Sequence, residues 1–125
     1  MTLYDAISLF DKEHPNNADF SLKVQWLSQL EHKVYAEMLS PRGAGDFTGY
    51  TLETPQNTTL AVPDAFCEVY VYYLKMCLDL HNGEIDRFNN SAVLFNRAYK
   101  ELFDYINRSK RVVNSSRITA GDLIV

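Results

Sequence analysis

The chain has 125 residues, 46% of them hydrophobic and 22% charged, and carries a net charge of −4. That is one domain's worth of chain, long enough to bury a core without a metal or a disulfide. The acidic balance sets generic nucleic-acid binding at a disadvantage, because such binding needs a basic face that releases counterions, and no apolar run reaches the ~20 residues of a membrane span.

A first helix is predicted from Leu3 to about Lys12. Thr2 and Asp5 have the spacing of a capping box, and Leu3, Ile7 and Phe10 form one apolar stripe. Pro15 ends this helix by disfavouring helical geometry at His14. A second helix is predicted from Ser21, an N-cap residue type, with Leu22, Trp26, Leu27, Leu30, Val34 and Met38 at helical spacing. Pro41 and the Arg42-Gly43-Ala44-Gly45 stretch terminate it.

Residues 41–62 change character. Tyr50, Leu52 and Thr54 alternate with polar neighbours, as do Thr58, Leu60 and Val62, on either side of Pro55-Gln56-Asn57. This pattern predicts an extended arm or a β-hairpin.

A helix hairpin follows, with arms at about 64–81 and 84–110 around Asn82-Gly83. Pro63 suits the helix start, and Gly83 suits a left-handed helix end. Phe66, Val69, Tyr70, Tyr73, Leu74, Cys77 and Leu78 make a broad apolar face on the first arm. Tyr72, Met76 and Leu80 add a second, leaving Asp64, Glu68, Lys75 and Asp79 on a narrow polar stripe. A helix apolar over most of its girth is central to its bundle or is covered by another subunit. In the second arm Ile85, Phe88, Ala92, Phe95, Tyr99, Leu102 and Ile106 alternate steps of three and four, a seven-residue repeat that predicts one apolar seam. The expected fold is therefore mainly α. It is a small four-helix bundle built on this antiparallel hairpin, with the 41–62 arm and an extended C-terminal tail. Residues 1–111 form a single helical domain, and 112–125 are a flexible or partner-bound tail.

The residue chemistry points to no catalytic, cofactor-binding or metal site. Counted from Asp79, a calcium loop would need Gly sixth and Glu twelfth, whereas Gly83 is fifth and Asn90 twelfth. His14, His32 and His81 lack ligand partners at zinc-site spacing. No phosphate loop, nucleophile elbow or dinucleotide fingerprint is present. Cys67 and Cys77 lie on one helix roughly 15 Å apart, too far to pair, and read as buried free thiols of a reducing compartment. The first residues lack the basic stretch and apolar core of a secretion signal, so the Asn-x-Ser/Thr sites at Asn57, Asn89, Asn107 and Asn114 carry no weight.

Three features have two readings each. Asn89, Asn90 and Asn96 either fix register at the edge of the seam or are simply solvated. Arg108, Lys110, Arg111 and Arg117 are a solvated basic helix end favoured by the dipole, or a contact to DNA phosphates. Residues 1–83 carry 5 Lys/Arg against 11 Asp/Glu, while 84–125 carry 7 against 5. This imbalance is common background, or it favours head-to-tail contact between copies.

Two blocks carry a family resemblance. The first is Pro15-Asn16-Asn17 followed by residues 23–31, Lys-Val-Gln-Trp-Leu-Ser-Gln-Leu-Glu. The second begins Leu60-Ala61-Val62-Pro63-Asp64-Ala65-Phe66 and continues through Tyr70-Val71-Tyr72-Tyr73-Leu74. It then runs from Gly83-Glu84-Ile85-Asp86-Arg87-Phe88-Asn89-Asn90-Ser91 to Phe95-Asn96. Together they resemble the small helical head–tail connector proteins (adaptors, or head-completion proteins) of tailed phages and prophages, over about residues 15–108. The resemblance implies a structural virion protein without enzymatic activity or cofactors. Copies would form a ring, assembled on the portal, between portal and tail. Its partners would be itself, the portal protein and tail-side proteins, with any DNA contact independent of sequence and no membrane contact. It would reside in the virion neck, and in the bacterial cytoplasm during assembly. The alternative is a small helical adaptor or regulatory protein that binds a host or phage protein without catalysis.

Overall fold

Thr2 caps the first helix as its sequence predicts. Its side chain accepts from the Asp5 amide at 3.1 Å, and the Asp5 carboxylate accepts from the Thr2 amide at 3.2 Å. A computed structural model describes residues 1–109; the 112–125 tail, the domain boundary at 111, and Lys110, Arg111 and Arg117 lie outside them. Helix α1 spans Leu3–Glu13 and buries Leu3, Ala6, Ile7 and Phe10. It stops at His14, the residue before Pro15.

Helix α2 spans Phe20–Val34. Its N-cap is Asp19 rather than Ser21, which lies inside the first turn. The helical path also runs further than the sequence indicates. A π turn at Tyr35–Leu39 and a 3-10 turn at Ser40–Arg42 carry it through Pro41 before Gly43, at φ 92°, reverses the chain. Pro41 fits because a proline early in a helical turn forfeits no intrahelical bond.

The hairpin is the body of the fold. A 3-10 turn at Asp64–Phe66 precedes helix α3, Glu68–His81, and helix α4 spans Ile85–Ser109. Gly83 closes α3 at φ 73°, with its amide on the Leu80 carbonyl and the Glu84 amide on that of Asp79. Helix α3 is central, packing against α1, α2 and α4. The four helices make the expected mainly helical bundle around one core, in which Phe10, Leu27, Leu30, Tyr70, Leu74 and Leu102 are fully enclosed.

The seam of α4 is rotated from the predicted repeat at its start. Phe95, Leu102 and Ile106 are buried, but so are Ser91 and Ala98; Phe88, Ala92 and Tyr99 are half-buried and Ile85 is 55% exposed. The physical reason is the 3.6-residue period of a straight helix, which drifts away from a strict seven-residue repeat. Asn89, Asn90 and Asn96 are all exposed in the single chain, so they do not fix the register of the α3–α4 packing. Asp79 departs from the polar stripe assigned to it. It is 1% exposed, accepting from Ser91 on α4 at 2.7 Å and pairing with Lys75.

Candidate functional site

Residues 43–62 form no strand, so the β-hairpin is not made, and turns at 52–53 and 56–57 break the extended arm. The segment lies on the bundle as a strap. Leu60 and Val62 are buried, the Leu60 amide reaches the Met1 carbonyl at 2.9 Å, and the Leu3 amide reaches the Thr58 carbonyl at 2.9 Å. A single antiparallel bridge joins Thr2 to Thr59. Nearer its start, Phe47 stacks on Tyr35 at 5.1 Å and meets the edges of His32 and Tyr50 at 4.7 and 4.8 Å. Gly49, at φ 100°, turns the backbone directly over α2, where an added Cβ would lie 3.4 Å from His32 Nε2 and 3.5 Å from Ser28 Oγ. Ser28 Oγ in turn accepts from the Tyr50 amide at 3.0 Å. Glycine here serves the left-handed backbone, since an added Cβ would make only ordinary contacts. One exposed part of the strap is a tight turn around Leu52, 64% exposed, held by Thr51 and Thr54.

Beneath the strap lies Glu31, a fully buried carboxylate. Its Oε2 accepts from the Tyr50 hydroxyl and from the Ala61 amide, both at 2.9 Å, and its Oε1 accepts from the Tyr70 hydroxyl at 2.8 Å. The Tyr70 oxygen also accepts from the Val62 amide at 2.9 Å. Among the described residues no Lys, Arg or His forms an ion pair with Glu31. A carboxyl group so enclosed needs hydrogen-bond partners, and the strap and α3 supply three donors. Burial, followed by the Glu31 charge, pushes both tyrosine hydroxyls well above their ordinary range. The arrangement positions chain segments. It leaves no room for a reacting molecule between its partners, which are already at hydrogen-bond distance.

Sequence reasoning missed this hub. The signal was present, because Glu31 stands four residues after Leu27 and three before Val34 and so shares the apolar stripe of α2. Lys23 is a parallel case. It is 5% exposed and bonds Asp11 at 2.7 Å, and Asp11 also accepts from Asn16, tying α1 to α2 through the link between them.

Two concavities flank the α3–α4 turn. One, of about 550 Å³, is polar. Glu13, His14, Pro15, Asn16 and Asn17 form one wall and Lys75, Asp79, His81, Asn82, Glu84 and Arg87 the other. It brings the Pro15-Asn16-Asn17 block beside the hairpin turn. The other, of about 400 Å³, is apolar and runs between α2 and the α3–α4 hairpin.

The remaining residues singled out from sequence do not converge. His14 packs on Phe10, His32 on Phe47 and His81 on the edge of Trp26. Cys67 and Cys77 are half-buried free thiols rather than fully buried ones, and burial pushes the Cys77 thiol up to about 12. Arg108 is exposed. Among the described residues no three His, Cys, Asp or Glu side chains are grouped to hold a metal ion, and no helix is long and apolar enough to cross a membrane. No family model, curated protein or solved structure matches the chain.

Proposed function

We propose that this chain is a structural virion protein, a head–tail connector whose copies form a ring between the portal and the tail of a phage or prophage. The observation that carries this reading is where the two resembling blocks lie. Glu31 ends the first block, and its donors Ala61 and Tyr70 belong to the second, together with Val62 behind them. Pro15-Asn16-Asn17 and the hairpin turn likewise face one another across the polar cleft. Several of the residues that carry the resemblance thus help to fasten this architecture, which supports common architecture over chance similarity of composition. A fold committed to packing, with its buried carboxylates occupied by structural hydrogen bonds, also suits a non-enzymatic role. On this reading the partners are other copies, the portal protein and tail-side proteins. The protein acts in the bacterial cytoplasm during assembly and then in the virion neck.

Mixing the purified chain with portal rings and imaging the product by electron microscopy tests the proposal. A second ring of density on the tail-facing side of the portal is expected. Portal rings left bare at saturating protein would overturn it. The alternative, a helical adaptor that binds a host or phage protein without catalysis, draws on the exposed apolar groove. It predicts bare portals together with a stoichiometric complex recovered with one such protein.

A further inference from the structure

Beside its buried face, helix α4 carries a second stripe. Ile85, Asn89, Ala92, Asn96, Tyr99 and Phe103 alternate steps of four and three, so they share one side of the helix. Asn89 and Asn96 are exposed, and Ala92 and Tyr99 are half-buried. Ile85, Phe103 and the adjoining Val93 are 55%, 36% and 59% exposed. Of the four large apolar side chains that α4 exposes, only Leu94 lies away from this stripe. No charged residue interrupts it. We propose that the stripe is a dimer interface, on which the α4 helices of two copies of this chain pack antiparallel about a twofold axis beside Val93.

Three observations point to a second copy as the occupant. The first is that the stripe is complementary to itself. Counted from position 94, Ile85 and Phe103 lie nine residues to either side, Asn89 and Tyr99 five, and Ala92 and Asn96 two. An antiparallel pair therefore sets Ile85 of each copy opposite Phe103 of the other, and Asn96 opposite the small Ala92. An asparagine amide both donates and accepts, and such a residue in a helix seam fixes the register and number of its partners.

The second is charge. Asp86, Val93 and Lys100 run along the outer edge of the stripe, with the two charges seven residues to either side of Val93. The same twofold sets Asp86 of each copy opposite Lys100 of the other, while Val93 faces itself. Asp86 forms no ion pair among the described residues. Lys100 is paired with Asp104 of its own helix at 2.8 Å, and an ammonium group has donors to spare for a second acceptor. A parallel pair would turn both charges toward the flank that α4 gives to its own core, where neither meets its opposite. On the inner edge, Glu37 already accepts from Lys33 at 2.8 Å and from Tyr99 at 2.7 Å, so no unpaired charge enters there.

The third is continuity. Phe88, three residues after Ile85 and four before Ala92, is also a wall of the apolar groove, with Trp26, Tyr73 and Leu80. The antiparallel pair brings Phe103 of the partner to that end of α4, so apolar surface beyond the stripe is covered as well.

A twofold contact uses the same patch on both copies and closes with two, so it builds no ring. The inference goes beyond the connector reading and does not rest on it. Helix α4 has 25 residues, and its face, ~37 Å long and ~10 Å wide, is small beside the ~800 Å² per partner of a standard interface. The dissociation constant should therefore be on the order of 10–100 μM.

Sedimentation equilibrium of the full chain, without portal and up to about millimolar concentration, tests the inference. The unchanged chain should show a monomer–dimer equilibrium. Val93→Glu sets two carboxylates face to face at the axis and should weaken the dimer about tenfold or more. Asp86→Lys alone and Lys100→Asp alone each set like charges opposite one another, and each should weaken it roughly fivefold. An equimolar mixture of those two variants restores opposite charges at both contacts, and should form a heterodimer as tight as the original dimer. Circular dichroism checks that each exposed substitution leaves the chain helical. A chain that stays monomeric throughout, or that assembles beyond two copies, would overturn the inference. So would a Val93→Glu variant that dimerises as well as the original, or a mixture no tighter than its separate components. The ring on the portal is scored separately, so bare portals beside an intact dimer would reject the connector reading alone.

Discussion

At the scale of single residues, Glu31 joins three separate parts of the chain. Its three donors come from Tyr50, Ala61 and Tyr70, so the strap and α3 are fastened to α2 through one carboxylate. The two tyrosines are not equivalent. Tyr70 is fully buried, and its oxygen both donates to Glu31 and accepts from the Val62 amide. Tyr70→Phe strands two buried polar groups, and we expect it to cost about 1–3 kcal/mol. Tyr50 is half-buried, so water can replace its hydroxyl, and Tyr50→Phe should cost about 1 kcal/mol or less. Urea denaturation of the two variants decides this. Equal midpoints would show that the hub is wetter than its geometry implies.

At the scale of elements, the second arm of the hairpin separates positions that one heptad would make equal. Phe95 is buried between Tyr73 and Tyr99, with ring centroids at 5.2 and 5.4 Å. Phe95→Ala should cost roughly 3–5 kcal/mol. Ile85, a member of the same predicted seam, is exposed, and Ile85→Asn should change stability by no more than about 0.5 kcal/mol. Thermal unfolding of both variants is the check, and comparable losses would restore the strict repeat. The helices were legible in the sequence because their signals are local: a capping box at Thr2, a proline after His14, a glycine at position 83, and apolar residues every third or fourth position. The strap was legible only as a change in composition. Its path depends on Phe47 reaching Tyr35 and on Ala61 reaching Glu31, contacts across 12 and 30 positions that no local pattern encodes. The same limit hid the burial of Asp79, which is decided by Ser91 on the facing helix. The two concavities are products of three-element packing, and only the apolar excess on α3 hinted at one of them.

At the scale of the whole molecule, the ends of the bundle differ. The hairpin turn carries the polar cleft and the apolar groove side by side, with His81 in the wall of both. The other end of α4 leads to the basic residues beyond Ser109. The difference arises because α4 is much longer than α1, α2 or α3. The bridge between Thr2 and Thr59 has a different consequence, one of time. The α3–α4 hairpin closes across a turn of three residues, whereas the bridge joins positions nearly sixty apart. By chain entropy, the longer closure costs ~2–3 kcal/mol more. It should wait until the hairpin and α2 offer a surface to close on. Pulse-labelling hydrogen exchange during refolding should therefore protect α3 and α4 amides before those of Leu3 and Leu60. Simultaneous protection would show that the chain closes in one step. In that order of events the N-terminal turn and the strap are the last parts to acquire their places. For the interval before they do, the hairpin stands as a half-covered intermediate whose open face is the one that α1 will occupy.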